Sequence, residues 1–357
     1  MNTYAFDAKY YTDPKIFAEE RANLLAQTWQ FACHESMIAK SGDYICFPIA
    51  GQDLFCVRGA DHRIKCFYNV CQHRAHPLVQ DRGNAKVLVC PYHSWTYNLT
   101  GELRAGPNLK KVGIDPKTIC LTQVACENFH GFIFVNLDDD PAPMDAWYPG
   151  VREEWEEYIP QISSLKPVTW FDVQEQCNWK ISIENYSECY HCTRNHPTFA
   201  KGVIKPETYD IQPQDTGYVL RHTTQCQPLE KMTYAIDTNR KNALAYRAFF
   251  LWPMFSLQVY PGNQVNSYHW RELDTMQCSV IRGWYAGEGD DEEVVRNLGQ
   301  QDFDTTLSED IVLVENVQRG LQNKGYKPGP LVIDPDGGLN SENSIAKLHA
   351  WMRAAHA

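Results

Sequence analysis

The chain has 357 residues, with 33 Lys+Arg against 44 Asp+Glu and a net charge of −11, a balance that argues against nucleic acid or an anionic membrane as partner. Its length exceeds what one hydrophobic core normally organises, so two domains are expected. Thirteen Cys, odd in number and without a repeating spacing, do not make a secreted disulfide framework and point to the cytoplasm.

The N-terminal run MNTYAFDAKYYTDPKIF lacks a basic head followed by an apolar stretch, so no signal peptide is expected. Residues 14–29 place Ala18, Ala22, Leu25 and Trp29 at 4-3-4 spacing, with Phe17 and Leu24 widening the stripe and Asp13 available as N-cap, which predicts an amphipathic helix. From Asp43 the period shortens. YICFPI, DLFCVRG, IKCFYNV, KVLVC, SWTYNL and FHGFIFVNL are brief β-rich runs separated by turn residues, predicting a small all-β domain over 40–140. The acidic DDDPAPMD segment reads as the linker out of it. Beyond it the pattern predicts a helix over 179–195, several strands between Tyr209 and Tyr285, a long helix over 302–323 and a short C-terminal helix. AFFLWPMFSLQVY, the most apolar stretch, is broken by Pro253 and too short to span a bilayer. Helices crossing a sheet make an α+β arrangement with room for a cavity.

Two constellations carry chemistry. In CQHRAHPLVQDRGNAKVLVCPYH, Cys71 and His73 form a Cys-x-His pair and Cys90 and His93 a Cys-x-x-His pair. Two thiolates can hold one iron and two neutral imidazoles the other, the ligand set of a Rieske [2Fe-2S] cluster and hence of an electron relay. Structural zinc is the alternative, although zinc fingers usually keep both Cys in one pair and both His in the other. His76, in the same loop, is read as hydrogen-bond support.

In ENYSECYHCTRNHP, His191 and His196 supply two ligands of a mononuclear site of the two-His, one-carboxylate kind. Five residues apart on an unbroken helix they would point about 140° away from each other, but Pro197 disfavours helical geometry at His196 and lets it swing back. For the carboxylate, Leu307, Asp310, Val314, Val317 and Leu321 follow a 3-4-3-4 stripe, which puts Asp310 on the inward face where a metal offsets its burial. Glu309 and Glu315 lie off that stripe and read as solvated; Asp302 and Asp304 stay open by pattern. Glu188 stands one turn before His191, suited to support a ligand rather than be one.

NVCQHRAHPL, VLVCPYHSWTYNLTGEL, NWKISIENYSECYHC, FFLWPMF and SEDIVLVENVQRGLQNKGY resemble, in this order and over nearly the whole chain, the α-subunits of Rieske non-haem iron oxygenases. Within that family the resemblance is to the branch acting on quaternary ammonium compounds, which includes carnitine monooxygenase and the glycine betaine and stachydrine demethylases. It implies a helical segment over 1–39 packing on the catalytic domain, a Rieske domain over 40–140, and a catalytic domain over 141–357 with a helix-grip (START-like) fold around an antiparallel sheet. It implies that Cys71, His73, Cys90 and His93 bind the cluster, that His191, His196 and Asp310 bind Fe(II), and that Glu188 bridges to a cluster His of a neighbouring subunit in a homotrimer. O2 is then the co-substrate, with NAD(P)H electrons delivered by a separate flavin and iron-sulfur reductase; this chain has no G-x-G-x-x-G loop of its own. The implied reaction is hydroxylation of a betaine-type or carnitine-like cation, with C–N cleavage or N-demethylation. An aromatic-ring hydroxylase or O-demethylase is the competing reading. Aromatic faces bind a quaternary ammonium by cation–π attraction, and Phe249, Phe250, Trp252, Phe255, Tyr260, Tyr268, Trp270, Trp284 and Tyr285 are the candidates for that role, two or three of them being expected at the cavity.

Overall fold

The computed structural model describes residues 3–213 and 216–356, which divide into two compact units: Leu25–Ala142, and the residues up to Leu24 together with Pro143 onward. Among the described residues no helix is long and apolar enough to cross a membrane.

In the smaller unit seven antiparallel strands lie in the order Gln30–His34, Phe132–Asn136, Gln123–Phe129, Ile64–Tyr68, Gln52–Arg58, Asp43–Ile49 and Arg82–Asn84. A second, three-stranded sheet joins Leu88–Val89, Thr96–Tyr97 and Leu103–Ala105. Phe55, Phe67, Leu78, Leu88, Trp95 and Tyr97 form one core, and Cys71 and Cys90 are members of it. Because Gln30–His34 pairs with Phe132–Asn136, residues 25–39 belong to this unit, and the expected leader of 1–39 stays with the larger unit only as far as Leu24.

After a single helical turn at Lys9–Thr12, Asp13 caps the expected helix, accepting from Lys15 N–H at 2.8 Å. The helix does not reach Trp29. Pro14–Glu19 is α-helical, then the chain widens into a π turn over Glu20–Leu24 and tightens to a 3₁₀ turn over Leu25–Gln27. Ala18 and Ala22 are exposed, and the inward face is Phe17, Glu20 and Leu24. The cause is a charge: Glu20 meets Lys180 at 2.6 Å, each side chain 1% exposed, and Trp179 Nε1–H also donates to it at 3.3 Å.

The larger unit is built on seven antiparallel strands in the order Lys166–Glu175, Cys278–Ala286, Gln264–Glu272, Phe255–Tyr260, Ala245–Leu251, Val219–Gln225 and Asp210–Pro213. Cross-strand partners share a face, and the row Phe250, Ser256, Tyr268, Arg282, Phe171 marks the face that the helices cover. Trp270 Nε1–H donates to Ser182 Oγ at 2.9 Å, tying down the helix Trp179–Tyr186. Phe171 stacks on Phe303 at 4.6 Å. Gly299 lets the helix Glu292–Asp302 approach so closely that a Cβ there would stand 3.0 Å from Trp284. This helix runs on through a π turn at Phe303–Leu307 into Ser308–Leu321, so the element expected over 302–323 starts ten residues earlier. Val317, expected inward, is 50% exposed, and Gln318, 1% exposed, takes its place because its Oε1 accepts from Asn178 N–H at 2.8 Å.

The Glu20–Lys180 pair sets a stability test. Glu20→Ala strands a buried ammonium and is expected to cost about 3–5 kcal/mol, whereas the paired Glu20→Leu/Lys180→Met replacement leaves no charge behind and should cost far less. Denaturant unfolding of the two variants measures the difference; equal losses would show that packing, not charge, holds the leader.

Candidate active site

The two cysteine-histidine loops of the smaller unit are built alike. Ala75 N–H bonds to Cys71 O at 3.0 Å and Ser94 N–H to Cys90 O at 2.9 Å, and both closing residues are left-handed, with φ of 57° and 58°. Cys71 and Cys90 are each 2% exposed, while His73 is exposed and His93 half-buried. The two imidazoles lie 4.7 Å apart, and His73 stacks on Trp95 at 4.6 Å. His93 Nδ1 is shielded from solvent with no hydrogen-bond partner, as suits an atom kept for a metal. Tyr97 Oη accepts from Gln72 N–H at 3.1 Å and sits 3.3 Å from Cys71 Sγ. Burial first, then the sulfur, keep that phenol protonated; toward a metal-held Cys71 thiolate, which can only accept, it would be the donor. His76 supports the loop through its carbonyl, which accepts from Cys71 N–H at 2.9 Å.

In the larger unit the helix expected over 179–195 stops at Tyr186. The chain then turns through Ser187–His191, makes one helical turn at Cys192–Asn195, and breaks again at His196, whose φ and ψ of −116° and 66° precede Pro197. Cys189 and Cys192 are joined by a disulfide across the first turn. These breaks bring His191 Nε2 and His196 Nε2 within 3.0 Å of each other. Asp310 Oδ1 lies 3.0 Å from His196 Nε2 and 3.5 Å from His191 Nε2, yet makes no hydrogen bond of good geometry. Donors about 3 Å apart are what one ion with ligand distances near 2.1 Å and cis angles requires.

Each ring is oriented from behind. His191 Nδ1 meets Glu188 Oε1 at 2.5 Å, and His196 Nδ1 meets Glu309 Oε2 at 2.8 Å. A proton held on each Nδ1 leaves both Nε2 lone pairs facing inward. Tyr190 N–H and, at 3.4 Å, His191 N–H bind the other Glu188 oxygen. The electrostatics call for positive charge at the centre. Burial pulls the His191 imidazole down, but Asp310 and Glu188 outweigh it and hold it at about 10. Burial pushes the Asp310 carboxyl up, but the two imidazoles bring it to about 2. The residues therefore fit a divalent metal.

Glu309, expected to be solvated, instead holds His196; no periodicity marks it for that role, although a metal-bound His generally needs such an acceptor. Glu315 accepts from Gln176 N–H at 3.0 Å. Asp302 is not a ligand but is paired with Arg282 at 2.6 Å, and Asp304 is exposed.

A cavity adjoins the triad, and its walls include Tyr186, Phe199, Tyr209, Tyr246, Tyr260 and Tyr268. Of the nine expected candidates Tyr260 and Tyr268 are among them. Phe249 and Phe255 alternate with Phe250 and Ser256 and so point to the opposite face of the sheet. Trp270 is on the right face but is tied to Ser182, and Trp252 follows the end of its strand and is 2% exposed in the core.

Comparison with known proteins bears on both sites. The family model for the ring hydroxylating alpha subunit (catalytic domain) matches residues 162–357, and that for the Rieske [2Fe-2S] domain matches 28–134, a span that includes both ligand loops and decides for an iron-sulfur cluster over zinc. The chain is 31% identical to the carnitine monooxygenase oxygenase subunit of Escherichia coli (strain K12) over 354 residues, 98% of this chain and 93% of the relative. It is 28% identical to the glycine betaine monooxygenase oxygenase subunit of Chromohalobacter salexigens, over 90% of this chain and 80% of the relative. The crystal structure of the quaternary ammonium Rieske monooxygenase CntA in complex with L-carnitine superposes with a TM-score of 0.88 at 28% identity, over 100% of this chain and 96% of that one.

Two outcomes follow from the geometry. Asp310→Ala is expected to lose one iron per chain and all turnover while the visible spectrum of the cluster is kept, because the ligand sets lie in separate units; unchanged iron content would place the third ligand elsewhere. Tyr97→Phe removes a hydrogen bond to a cluster sulfur worth about 0.5–1.5 kcal/mol, which at about 59 mV per 1.4 kcal/mol lowers the reduction potential by roughly 20–60 mV. A redox titration reads this directly, and an unshifted potential would show that the phenol does not donate.

Proposed function

Since the chain belongs to the Rieske non-haem iron oxygenase α-subunits, we propose that it is the oxygenase component of a two-component monooxygenase acting on a quaternary ammonium substrate of the betaine or carnitine type. The observation that carries the substrate class is the wall of six aromatic rings around the cavity next to the His191, His196 and Asp310 donors. Aromatic faces attract a quaternary ammonium, which offers no N–H to bond.

His191, His196 and Asp310 would hold the mononuclear iron, and Cys71, His73, Cys90 and His93 the cluster. When bound, these groups supply O2 activation and the electrons for it, delivered from NAD(P)H by a separate reductase. The protein's own contribution is orientation and dryness. Tyr209, Tyr246 and Tyr260 are at most 5% exposed and keep bulk water from the cavity. Burial also raises the phenols of Tyr209, Tyr246 and Tyr260, so these rings face a substrate cation as neutral quadrupoles and transfer no proton. Hydroxylation of a carbon attached to the ammonium nitrogen gives a carbinolamine, which collapses to a carbonyl compound, a free amine and a proton; for an N-methyl group the carbonyl compound is formaldehyde.

Glu188 is the residue assigned to electron delivery. Its carboxylate is 15% exposed and already holds His191, so a cluster imidazole docked against it from a neighbouring subunit would be joined to the iron site through hydrogen bonds. Such head-to-tail contacts close into a ring where the rotation permits, and the resemblance to the family makes that ring a homotrimer. A solved relative is described in terms of carnitine oxidation and inter-subunit electron transfer.

The purified chain with a surrogate reductase and NADH should consume O2 and release the aldehyde or amine from at least one of L-carnitine, γ-butyrobetaine, glycine betaine and stachydrine. Turnover confined to benzoate- or vanillate-type aromatic acids, with diol, phenol or O-demethylated products, would replace this reading with the ring-hydroxylase or O-demethylase one.

A further inference from the structure

Beside its aromatic rings the cavity wall includes a cation that the reading above leaves unused. Arg282 is 1% exposed, stands in register with Tyr268 on the helix-covered face of the sheet, and lies over that ring at 3.9 Å. Its Nε stands 2.6 Å from Asp302 Oδ2, an ion pair without good hydrogen-bond geometry, and its Nη2 reaches Tyr260 Oη only at 3.5 Å. Nη1 is buried and donates to nothing. His222, on the same cavity wall and 1% exposed, bonds through Nδ1 to Tyr209 Oη at 2.8 Å and leaves Nε2 buried without a partner. Burial pushes that imidazole down to about 3, so it is neutral, and a phenol proton given to Nδ1 leaves Nε2–H as a donor. Gln258 Oε1 is a third buried atom without a partner, an acceptor suited to a hydroxyl or a water.

A buried guanidinium edge without an acceptor is costly unless a ligand supplies one, and a carboxylate, which only accepts, is its best partner. A lone Arg would repel a substrate ammonium, but Asp302 cancels its charge toward the rest of the cavity. The combination suits a zwitterion. We propose that Arg282, helped by His222, binds the carboxylate of the substrate and thereby restricts the enzyme to N-methylated amino acids, excluding cations such as choline that lack the carboxylate. With the carboxylate accepting from Nη1, the ammonium and its alkyl groups are left to the aromatic rings and the metal donors. The Tyr268 face occupied by Arg282 is not part of the ammonium cage. The proposal rests on the quaternary-ammonium reading and sharpens it.

The wild-type protein tests this first. For whichever of glycine betaine and L-carnitine binds more tightly, kcat/KM and Kd are measured for the acid and for its carboxamide, with choline as a third probe. The acid is expected to be favoured by on the order of 10²-fold, the worth of a charged hydrogen-bond pair, mainly in KM. In the double variant Arg282→Gln/Asp302→Asn, which leaves no orphan charge, that preference should fall to within about threefold while iron and cluster content are kept. Comparable use of carboxamide or choline by the wild type, or a preference that survives in the double variant, overturns the role of Arg282 and leaves the quaternary-ammonium reading standing. Binding of none of these amines removes both.

Discussion

Two imidazole nitrogens and a carboxylate oxygen stand within 3.5 Å of one another in the interior of the larger unit, and no arrangement of protons satisfies three such atoms as well as one divalent ion does. Much of the local architecture serves that convergence. The chain gives up a continuous helix between Tyr186 and Pro197 so that two histidines five residues apart can face each other. Two further carboxylates, Glu188 and Glu309, are drawn in to hold the rings, and a site of net negative charge results until a cation occupies it. Burial alone would oppose every one of these groups. What tolerates them is the sheet behind, whose seven strands provide a rigid wall that does not depend on the metal.

What could be read in advance follows from the range of the interactions involved. The cluster loops were legible because their ligands are local, with thiol and imidazole two or three residues apart and each loop closed by its own backbone. Asp310 was legible because a helical stripe announces a charge on the wrong face. Glu309 was not: it adjoins Asp310 on the helix Ser308–Leu321, and nothing local tells a carboxylate aimed at an imidazole from one aimed at water. The leader was half legible, for the same reason: Phe17, Leu24, Leu25 and Trp29 are buried as expected, but Ala18 and Ala22 are not. Ala18 and Ala22 make the better apolar stripe on paper, but a partner 160 positions away, Lys180, turns Glu20 inward and twists the helix after it.

The cavity shows a third kind of limit. A strand alternates strictly, so choosing one residue of a run fixes which of its neighbours share its face. The apolar run around Phe249 and Phe255 reads as strand, and the structure splits it into Ala245–Leu251 and Phe255–Tyr260; both faces are buried, and buried faces carry no polarity difference from which to tell cavity from core. The register with Tyr268 and Arg282 resolves it, and register is a property of the sheet. The polar residues on the cavity side, His222, Gln258 and Arg282, were the available signal: a charged or amide side chain at a buried strand position has to answer to something other than packing.

The smaller unit presents its two metal-ligand types very differently, thiolates sunk in the core and imidazoles at the surface. Electrons tunnel between centres at rates that fall steeply with distance, so the imidazole edge is the doorway for traffic in both directions. In the ring proposed above, the neighbouring subunit's Glu188 takes one side of that edge for good, so a reductase that charges this centre has only what the ring leaves uncovered to dock on.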